Sequence, residues 1–522
     1  MRPLTKSHFS QSEKPQETPE AATPPPPQFS EIRFMLLGLY GLALFVLLVE
    51  LAPRHGPWFD EFWTRFLSDP NVGLNDAFAS RWVADVHPPL FSFLAWLAAH
   101  FERLPIEQAR LLNAIPLGLL ALYMWLLGRK CPREQPFLTV LAISLGSSAF
   151  FITYFTEFRS YFTGLCAFAG LTVTLVMQDR RKPGEDGAAA LLWCGYAVTL
   201  FVCLNIHYLT TAMTVVMVAV FGLSAAIRGE WRRFAIYLVT GILASAPFIA
   251  FVAYQWGTIE RISQDYWLKT SVPAAIDMVV STLAAPLWKM QGFVNLAWLA
   301  SGFLLWRSGP IARLDRTILV LILAIIAEIA MLLAYTFATA AMTERYLIPL
   351  TILSLSLFSL VLSRPIYKTR WLLGVFMAAN LLGAAAMAVE LWGNPRWDEA
   401  AQYLSVRQYS CPGARIVPMQ QDLNDHTPNT VENYNEAYAY MARKWNLQLG
   451  KVDTPSTRPY DGRCPDYYWA DHFFAAGKSH DTLMSQFIER WPALKGCHVS
   501  VTGFDSRSAV FEVAGGEPAC QR

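Results

Sequence analysis

The sequence predicts a polytopic α-helical membrane protein with about 11–13 transmembrane helices and a small periplasmic C-terminal α/β domain. Two observations predict this fold class. Of the 522 residues, 54% are hydrophobic and only 16% are charged, with a mean hydropathy of +0.30, whereas about a quarter of the residues of soluble domains are charged. The apolar residues also occur in long runs as far as Trp392, after which the composition becomes that of an ordinary soluble domain.

The N-terminal segment differs from everything that follows it. Residues 1–33 are polar and rich in Pro and Glu, a composition that buries too little apolar surface to fold. We interpret them as a disordered cytoplasmic tail. The apolar run at 34–52 is about one bilayer thick and predicts the first membrane helix. Because a long polar tail precedes this run, a cleaved signal peptide is not expected.

Further apolar segments predict the other membrane helices of a domain that covers residues 34–392. They lie at 88–101, 110–128, 137–152, 161–178, 188–204, 209–227, 234–253, 291–306, 317–338, 346–363 and 371–392. Positively charged loops stay on the cytoplasmic side, and such loops lie at 129–133, 180–182, 228–233, 307–316 and 364–370. The gaps near 153–160, 205–208, 254–290 and 338–345, and the C-terminal region, are then outside.

The number of crossings depends on two segments. The run at 88–101 is short for a spanning helix, which needs roughly 20 residues. If this run enters the membrane from the outer face and returns to it, 110–128 is the only crossing between the first outer loop and the basic loop at 129–133. About eleven crossings result, or about thirteen if part of 270–290 also spans. Either count is odd, which places the C-terminal domain on the side opposite to the N-terminal tail.

Residues 393–522 alternate helix-period stretches with strand-like runs, which predicts a small α/β domain on the outer face. The helical stretches lie at 397–407, 432–446 and 481–491, and the strand-like runs at 414–418, 466–470, 498–503 and 508–513. An even number of cysteines favours disulfides and an oxidising compartment. The region has no C-x-x-C pair, but free or metal-bound thiols remain the alternative. The disulfide candidates are Cys411, Cys464, Cys497 and Cys520.

The first outer loop, residues 54–87, carries the main candidate site. Its apolar residues from Trp58 to Leu67 recur with a helical period and are mostly aromatic, which predicts an interfacial helix with its rings toward the membrane. Asp60 and Glu61 would then face water. Such a carboxylate pair can act as a base or hold a divalent cation, and a solvated polar face is the alternative interpretation.

Two further candidates follow this pair. His87 comes two residues after Asp85 and just before a rigid Pro-Pro step, and Arg110 precedes an apolar segment. Near the outer mouth these cations could offset the charge of a phosphate leaving group. For His87 the alternative is a structural histidine at the start of a helix.

Two more outer turns carry charges beside apolar segments. Glu157 and Tyr161 are four residues apart, so they would share one helix face, with Arg159 pointing elsewhere. Arg345 and Tyr346 lie in the second turn. Interfacial anchoring is the alternative for both turns, but ionisable residues beside lipid usually have a function.

Several classes of protein lack support in the sequence. It has no Walker loop, no G-x-G-x-x-G and no nucleophile or metalloprotease motif. It has no basic run of the kind that binds nucleic acid, and no broken-helix repeat typical of a transporter. A nucleic-acid partner is therefore not expected.

The order of these motifs resembles the GT-C glycosyltransferases, in particular the branch that contains protein O-mannosyltransferases and the bacterial transferases that attach aminoarabinose or galacturonic acid to lipid A. The resemblance covers residues 34–392, and the C-terminal domain only by its position. It rests on Asp60-Glu61 after the first membrane helix, Asp85-Val86-His87-Pro88-Pro89-Leu90, Arg110, the Glu157-x-Arg159-x-Tyr161 element and Arg345-Tyr346.

The resemblance implies an inverting enzyme of the bacterial inner membrane that moves a sugar from a polyprenyl phosphate to a periplasmic acceptor, such as lipid A, another envelope glycan or a protein. Asp60 would be the general base and Glu61 would orient it. The donor phosphate would be bound by His87, Arg110 and Arg345. Some relatives have lysine at the place of His87.

The remaining site residues are implied in the same way. Relatives carry an arginine three residues after the first acid, where this chain has Trp63, and Arg65 is the substitute expected here. The substrate-binding residues would be Asp85, Glu157, Arg159, Tyr161 and Tyr346. No cofactor is certain, and a divalent cation (Mg²⁺ or Mn²⁺) stays an open alternative. An envelope glycan polymerase or ligase and a glycolipid flippase or transporter are the rival functions, and the outer domain could instead bind a partner.

Overall fold

A computed structural model describes residues 31–85, 87–181, 186–264, 270–288, 315–339, 342–368, 370–392, 397–420, 428–453, 464–470, 479–504 and 508–514. A bundle of long apolar helices occupies most of the chain as far as Trp392, and a four-stranded sheet with its own helices follows. The predicted tail at 1–33 falls almost entirely outside the described residues.

The bundle contains the helices expected of a multi-pass membrane protein. The helices of the bundle are Glu31–Leu51, Ala114–Lys130, Gln135–Gly146, Ala149–Phe155, Ser160–Arg180, Ala189–Ile206, Tyr208–Ile227, Trp231–Gln264, Val272–Trp288, Arg316–Thr339, Ile348–Lys368 and Arg370–Trp392. Within the described residues, eight helices are long and apolar enough to span a membrane, or nine if a pair bent by 60° counts as one span. The apolar run at 291–306 lies outside the described residues, so the total of about 11–13 stays a prediction.

Shorter helices connect the bundle to its ends. They are Phe59–Leu67, Leu74–Asp76, Ala77–Trp82, Leu90–Phe101, Ile106–Ala109, Arg110–Asn113, Pro132–Glu134, Asp186–Ala188 and Glu344–Leu347. The helix Leu90–Phe101 has only 12 residues, fewer than the roughly 20 that a span needs, as the sequence predicted.

The centre of the bundle is the helix Ser160–Arg180, whose side chains are nearly all buried. Its apolar residues point in every direction, which is typical of a helix enclosed by others. The helix Ala114–Lys130 lies at the outside and exposes Ile115, Leu119 and Leu122. Because these residues are three or four apart, they form one apolar face that suits lipid.

Within its described residues, the C-terminal domain is a mixed sheet of order β1-β2-β4-β3 with three α-helices. The strands β1 (Arg415–Met419) and β2 (Asp466–Ala470) are parallel, and β4 (Ser508–Ala514) pairs antiparallel with β2 and with β3 (His498–Phe504). The helices Trp397–Ser410, Pro428–Trp445 and His480–Arg490 confirm the predicted alternation, and the crossover between β1 and β2 contains the second of them.

The C-terminal domain packs onto the first outer loop. We call the helix Phe59–Leu67 the loop helix and the helix Pro428–Trp445 the docking helix. The rings of Phe59 and Tyr434 lie 5.1 Å apart, and those of Phe62 and Tyr440 lie 5.6 Å apart. Lys444 Nζ donates to Glu107 across 2.6 Å. The domain and the loop helix are therefore at the same end of the bundle.

These contacts correct one expectation about the loop helix. The sequence suggested that its aromatic face lies in the membrane interface, but Phe62 and Phe66 are buried inside the protein. The docking helix and the neighbouring turns cover the apolar side chains that lipid was expected to cover.

Disulfide bonding is present in the C-terminal domain. Cys411 and Cys464 form a disulfide with a Cα–Cα distance of 5.8 Å, which joins the end of the helix Trp397–Ser410 to the start of β2. Cys497 is also disulfide-bonded, and Cys520 lies outside the described residues. Among the described residues, Cys166, Cys194 and Cys203 are free thiols.

Candidate active site

A buried ion pair between Glu61 and Arg110 anchors the loop helix, and neither side chain has exposed surface. Arg110 donates to both carboxylate oxygens, from Nε across 2.7 Å and from Nη2 across 2.5 Å. Its remaining hydrogens point to the carbonyl oxygens of Ala52, His55 and Gly56. All five N–H groups of the guanidinium therefore have an acceptor within the protein.

These contacts change the roles that the sequence suggested for the pair. Arg110 has no N–H group left for a phosphate, and Glu61 is enclosed where water was expected. Glu61 also accepts hydrogen bonds from the backbone N–H groups of Trp58, across 3.3 Å, and Phe158, across 2.7 Å. We therefore assign both residues to holding the loop helix, and with it Asp60, in place. The sequence could not distinguish a buried carboxylate from its exposed neighbour.

Asp60 lies at the opening of the site, with 17% of its side chain exposed. Its Oδ2 accepts a hydrogen bond from Arg345 Nη1 across 2.7 Å, and Arg159 Nη2 lies 3.8 Å from the same oxygen. Burial opposes the ionisation of Asp60, but the charges of Arg159 and Arg345 outweigh it and hold the pKa below the usual 3.8. Asp60 is therefore a carboxylate at neutral pH.

The two arginines reach Asp60 from different parts of the chain. Arg345, in the turn Glu344–Leu347, also donates to Tyr161 Oη across 2.7 Å. Arg159 Nη1 donates to the backbone oxygen of Asp60 and to Thr64 Oγ1, each across 3.0 Å. The loop helix is thus tied to both arginines through its first turns.

The segment at 156–159 is a turn, which corrects the prediction that Glu157 and Tyr161 share one helix face. The helix Ala149–Phe155 ends before it, and Arg159 is extended, with φ at −142°. Asn113 Nδ2 lies 2.8 Å from the backbone oxygen of Glu157 and holds the turn in place. Because the helix is broken here, Arg159 points to Asp60 and not away from it.

Two histidines face each other beside the carboxylate, with ring centroids of His87 and His207 5.0 Å apart. Asp85 orients His87, because one carboxylate oxygen lies 3.4 Å from His87 Nδ1. The other accepts a hydrogen bond from Trp63 Nε1 across 2.8 Å. Burial raises the pKa of Asp85, but the charge and hydrogen bond of His87 outweigh it, so that the pKa lies below its usual value.

His207 is a site residue that sequence reasoning missed. Its Nδ1 accepts a hydrogen bond from the backbone N–H of Leu209 across 3.3 Å at the start of a helix. Burial, and after it the electrostatic effect of the neighbouring His87, Arg345 and Arg159, hold the pKa of His207 well below 6.5. The ring is therefore neutral and carries its proton on Nε2. The sequence did contain one signal for this residue. His207 lies in the gap at 205–208, which the predicted topology places outside together with the other candidates.

Tyrosines complete the wall around His207. The rings of Tyr161 and Tyr346 lie 5.8 Å and 5.6 Å from the imidazole. Arg65, by contrast, is not brought into the site. It donates to the backbone oxygen of Leu104 across 2.8 Å and lies over the ring of Tyr440 at 5.2 Å. We therefore assign Arg65 to domain docking and not to phosphate binding.

A cavity of about 310 Å³ lies beside Asp60. Arg345 connects the two, because its guanidinium bonds to Asp60 and also lines the cavity. The residues that line it are His55, Trp58, Thr153, Tyr154, Glu157, Tyr161, Thr343, Glu344, Arg345 and Leu391. It was not predicted from the sequence.

The donor set does not fit a divalent cation at Asp60. The carboxylate already faces two guanidinium groups, which would repel a metal ion. Within the described part of the chain, no group of three or more His, Cys, Asp or Glu residues could hold one. We therefore derive no step through a metal.

The fold of this chain is similar to that of solved structures of ArnT. Two of them are crystal structures of ArnT from Cupriavidus metallidurans, one in the apo state and one bound to undecaprenyl phosphate. Each has a TM-score of 0.53 and 14% sequence identity, over 93% of this chain and 99% of that one. No family model and no curated protein matches the sequence.

Proposed function

We propose that this protein is an integral-membrane glycosyltransferase that moves a sugar from a polyprenyl phosphate to a hydroxyl of a periplasmic acceptor. The acceptor would be lipid A, another envelope glycan or a protein. The observation that carries the proposal is the position of Asp60. Its carboxylate faces Arg345 and Arg159, with the pair of histidines on one side and the cavity on the other. The ArnT structure with undecaprenyl phosphate supports the choice of lipid.

The donor phosphate would sit among Arg345, His87 and His207. Arg345 is 21% exposed and already binds an anion, the carboxylate of Asp60. A phosphate would compete for that guanidinium, because arginine binds phosphates and carboxylates with the same N–H groups. The neutral His207 would offer its Nε2–H to a phosphate or sugar oxygen, and His87 would stabilise the leaving charge.

The exchange of anions at Arg345 also prepares Asp60 for its role. When Arg345 turns to the phosphate, the carboxylate loses its shortest charged contact and becomes a better base. Asp60 then takes the proton of the acceptor hydroxyl, whose oxygen bonds to the anomeric carbon. The bond from that carbon to the phosphate oxygen breaks on the opposite side, and the polyprenyl phosphate leaves with the electron pair. The configuration of the sugar is inverted.

Asp60→Asn tests this function. The substitution preserves shape but removes the base, which ordinarily contributes a rate factor of about 10²–10⁴. We expect purified protein in lipid to keep its affinity for polyprenyl phosphate and to lose transfer, with inversion detected by NMR of the wild-type product. Activity above about a tenth of wild type would reject the base role. A flippase would still move lipid after the same substitution, which separates the transport alternative.

A further inference from the structure

The cavity beside Asp60 contains buried polar groups without partners. Trp58 Nε1, Thr343 Oγ1 and Glu157 Oε2 are buried, and none has a hydrogen-bond partner within the described residues. All three residues line the cavity. Buried polar groups are nearly always paired, and an unpaired one is costly. Three in one cavity indicate a ligand with several hydrogen-bonding groups.

The walls of the cavity suit a sugar ring. Trp58, Tyr154 and Tyr161 line it with aromatic surface, and the rings of the two tyrosines lie 5.3 Å apart. A volume of about 310 Å³ lies at the lower end of the range of small-molecule sites, about 300–1,000 Å³. The volume is large enough for one monosaccharide, and the aromatic and polar parts of the wall suit the C–H face and the hydroxyls of a sugar.

Glu157 sets the charge of this cavity. Burial raises its pKa to about 8, and the negative charge of Glu61 adds to the rise. Arg345 and Arg110 oppose the rise without cancelling it, because each guanidinium is already engaged by another carboxylate. The charged and titratable groups around Glu157 are Asp60, Glu61, Arg110, Tyr154, Tyr161, Glu344, Arg345 and His55.

We propose that this cavity binds the sugar of the lipid-linked donor, and that Glu157 donates a hydrogen bond from a protonated carboxyl to select an uncharged sugar. This proposal rests on the proposed function. A sugar carboxylate would lie near Glu157 and Glu344 with no unengaged cation among the described cavity residues. A sugar ammonium would face the guanidinium of Arg345, and an ammonium that lay beside the indole N–H of Trp58 would offer it no acceptor. Hydroxyl groups can satisfy the indole, the threonine and the carboxyl together.

Equilibrium binding to the full-length protein in lipid nanodiscs tests the proposal. The probes are radiolabelled polyprenyl phosphates that carry glucose, glucosamine or glucuronic acid, with the sugar-free polyprenyl phosphate as reference. We expect the glucose donor to bind at least about tenfold more tightly than the other two at pH 7, which is the effect of one unpaired or repelled polar group.

The pH dependence of Glu157 variants gives a readout that a structural role would not produce. The carboxyl donates only while protonated, and its pKa is about 8. Wild-type affinity for the glucose donor should therefore be nearly full at pH 7, fall as the pH rises through 8, and be several-fold lower by pH 9. Glu157→Gln keeps an N–H donor at every pH, and its affinity should stay constant from pH 7 to pH 9. Glu157→Ala should bind weakly throughout, and its thermal unfolding midpoint shows whether the variant is folded.

Each outcome bears on one claim. Preference for the glucosamine donor, with binding lost in Glu157→Gln, would overturn the inference in favour of an amino sugar. Equal affinity for the sugar-free lipid and the glucose donor would show that the cavity does not hold the sugar, while the proposed function stands. If none of the four lipids binds, the proposed function itself fails.

Discussion

Arg345 lies 285 residues after Asp60 in the chain, and its Nη1 donates to the Asp60 carboxylate across 2.7 Å. The same nitrogen donates to Tyr161, so one guanidinium joins the loop helix, the central helix and the turn Glu344–Leu347. Without substrate, this contact keeps Asp60 ionised but weakly basic. Under the proposed function, the binding of a second anion by Arg345 would be coupled to the release of Asp60 as the base.

Replacing Arg345 with glutamine should shift the pH dependence of the reaction. The charge of Arg345 helps to hold the pKa of Asp60 below 3.8, so its loss should raise that pKa. A base works in its ionised form, and activity is lost as pH falls through the pKa. The acidic limb of kcat/KM should therefore move to higher pH. The value at neutral pH should also fall by about 10–100-fold, because one charge-assisted contact with phosphate is lost.

Arg65→Gln is the matched control for this measurement. Arg65 lies in the loop helix but contacts Leu104 and Tyr440, so its loss should leave the acidic limb unchanged. Coincident acidic limbs for wild type and Arg345→Gln would contradict the coupling between Arg345 and Asp60.

Arg110→Met should destabilise the protein without a specific loss of donor binding. The substitution leaves Glu61 as a buried charge without its guanidinium, which costs about 3–5 kcal/mol. Arg54→Met is the control, because the pair of Arg54 with Glu50 is exposed and such pairs contribute about 0–1 kcal/mol. Thermal unfolding in detergent should show a large decrease for the first variant and a small one for the second. Wild-type stability with weakened phosphate binding would restore Arg110 to the donor site.

The sequence predicts the architecture well because the relevant signals are local. Apolar runs of bilayer length and the alternation of helical and strand periods after Trp392 depend on neighbouring residues only. The motif order also pointed to Asp60, His87 and Arg345, which the structure brings close to one another. Local signals were sufficient for the elements and for most of the residues around the site.

The roles within the site could not be predicted in the same way. Glu61 and Asp60 are adjacent, yet Glu61 is fully buried and Asp60 is partly exposed, because distant residues such as Arg110 decide which side chain is enclosed. Arg159 and His207 each lie directly before the first residue of a helix. The hydrophobic pattern predicts where a helix begins only to within a few residues, so it could not predict which way these side chains point. Burial and long-range pairing are properties of the whole fold.

His87→Lys should retain more activity than His87→Ala. A lysine places a cation where the proposed function puts the departing phosphate, whereas alanine leaves no polar group there. Transfer rates at saturating donor, measured from pH 6 to pH 8, should rank wild type, lysine and alanine in that order. Equal losses in both variants would indicate that His87 has a structural role.

Asp85→Asn tests how His87 is oriented. Asp85 lies 3.4 Å from His87 Nδ1 and is fixed by Trp63, so the loss of its charge should misplace the imidazole. We expect a fall in kcat with a small change in donor affinity, because the ring is needed most when the leaving charge develops. The same loss in a protein that already carries His87→Ala should be much smaller, since the two residues act as a unit. Additive losses would show that Asp85 acts independently of His87.

The Cys411–Cys464 disulfide should stabilise the C-terminal domain and, through it, the loop helix. The bond joins residues 53 positions apart, and a loop of that size corresponds to about 4 kcal/mol of stability. The docking helix lies inside this loop and carries Tyr440 and Lys444, which contact Glu107. The double variant Cys411→Ser/Cys464→Ser should therefore be cleaved faster by protease in the C-terminal domain, and its transfer activity should be lost at a lower temperature.

Labelling of intact cells with an impermeant maleimide tests where this disulfide lies. If the domain is periplasmic, Cys411 and Cys464 should react only after a reductant is added, and without lysis of the inner membrane. Cys203, which is buried in the bundle, should stay unlabelled in both conditions and serves as the internal control. Labelling without reductant would contradict the disulfide, because free thiols would then be present. Labelling only after lysis would place the domain in the cytoplasm, where glutathione keeps most thiols reduced, and would reverse the predicted topology.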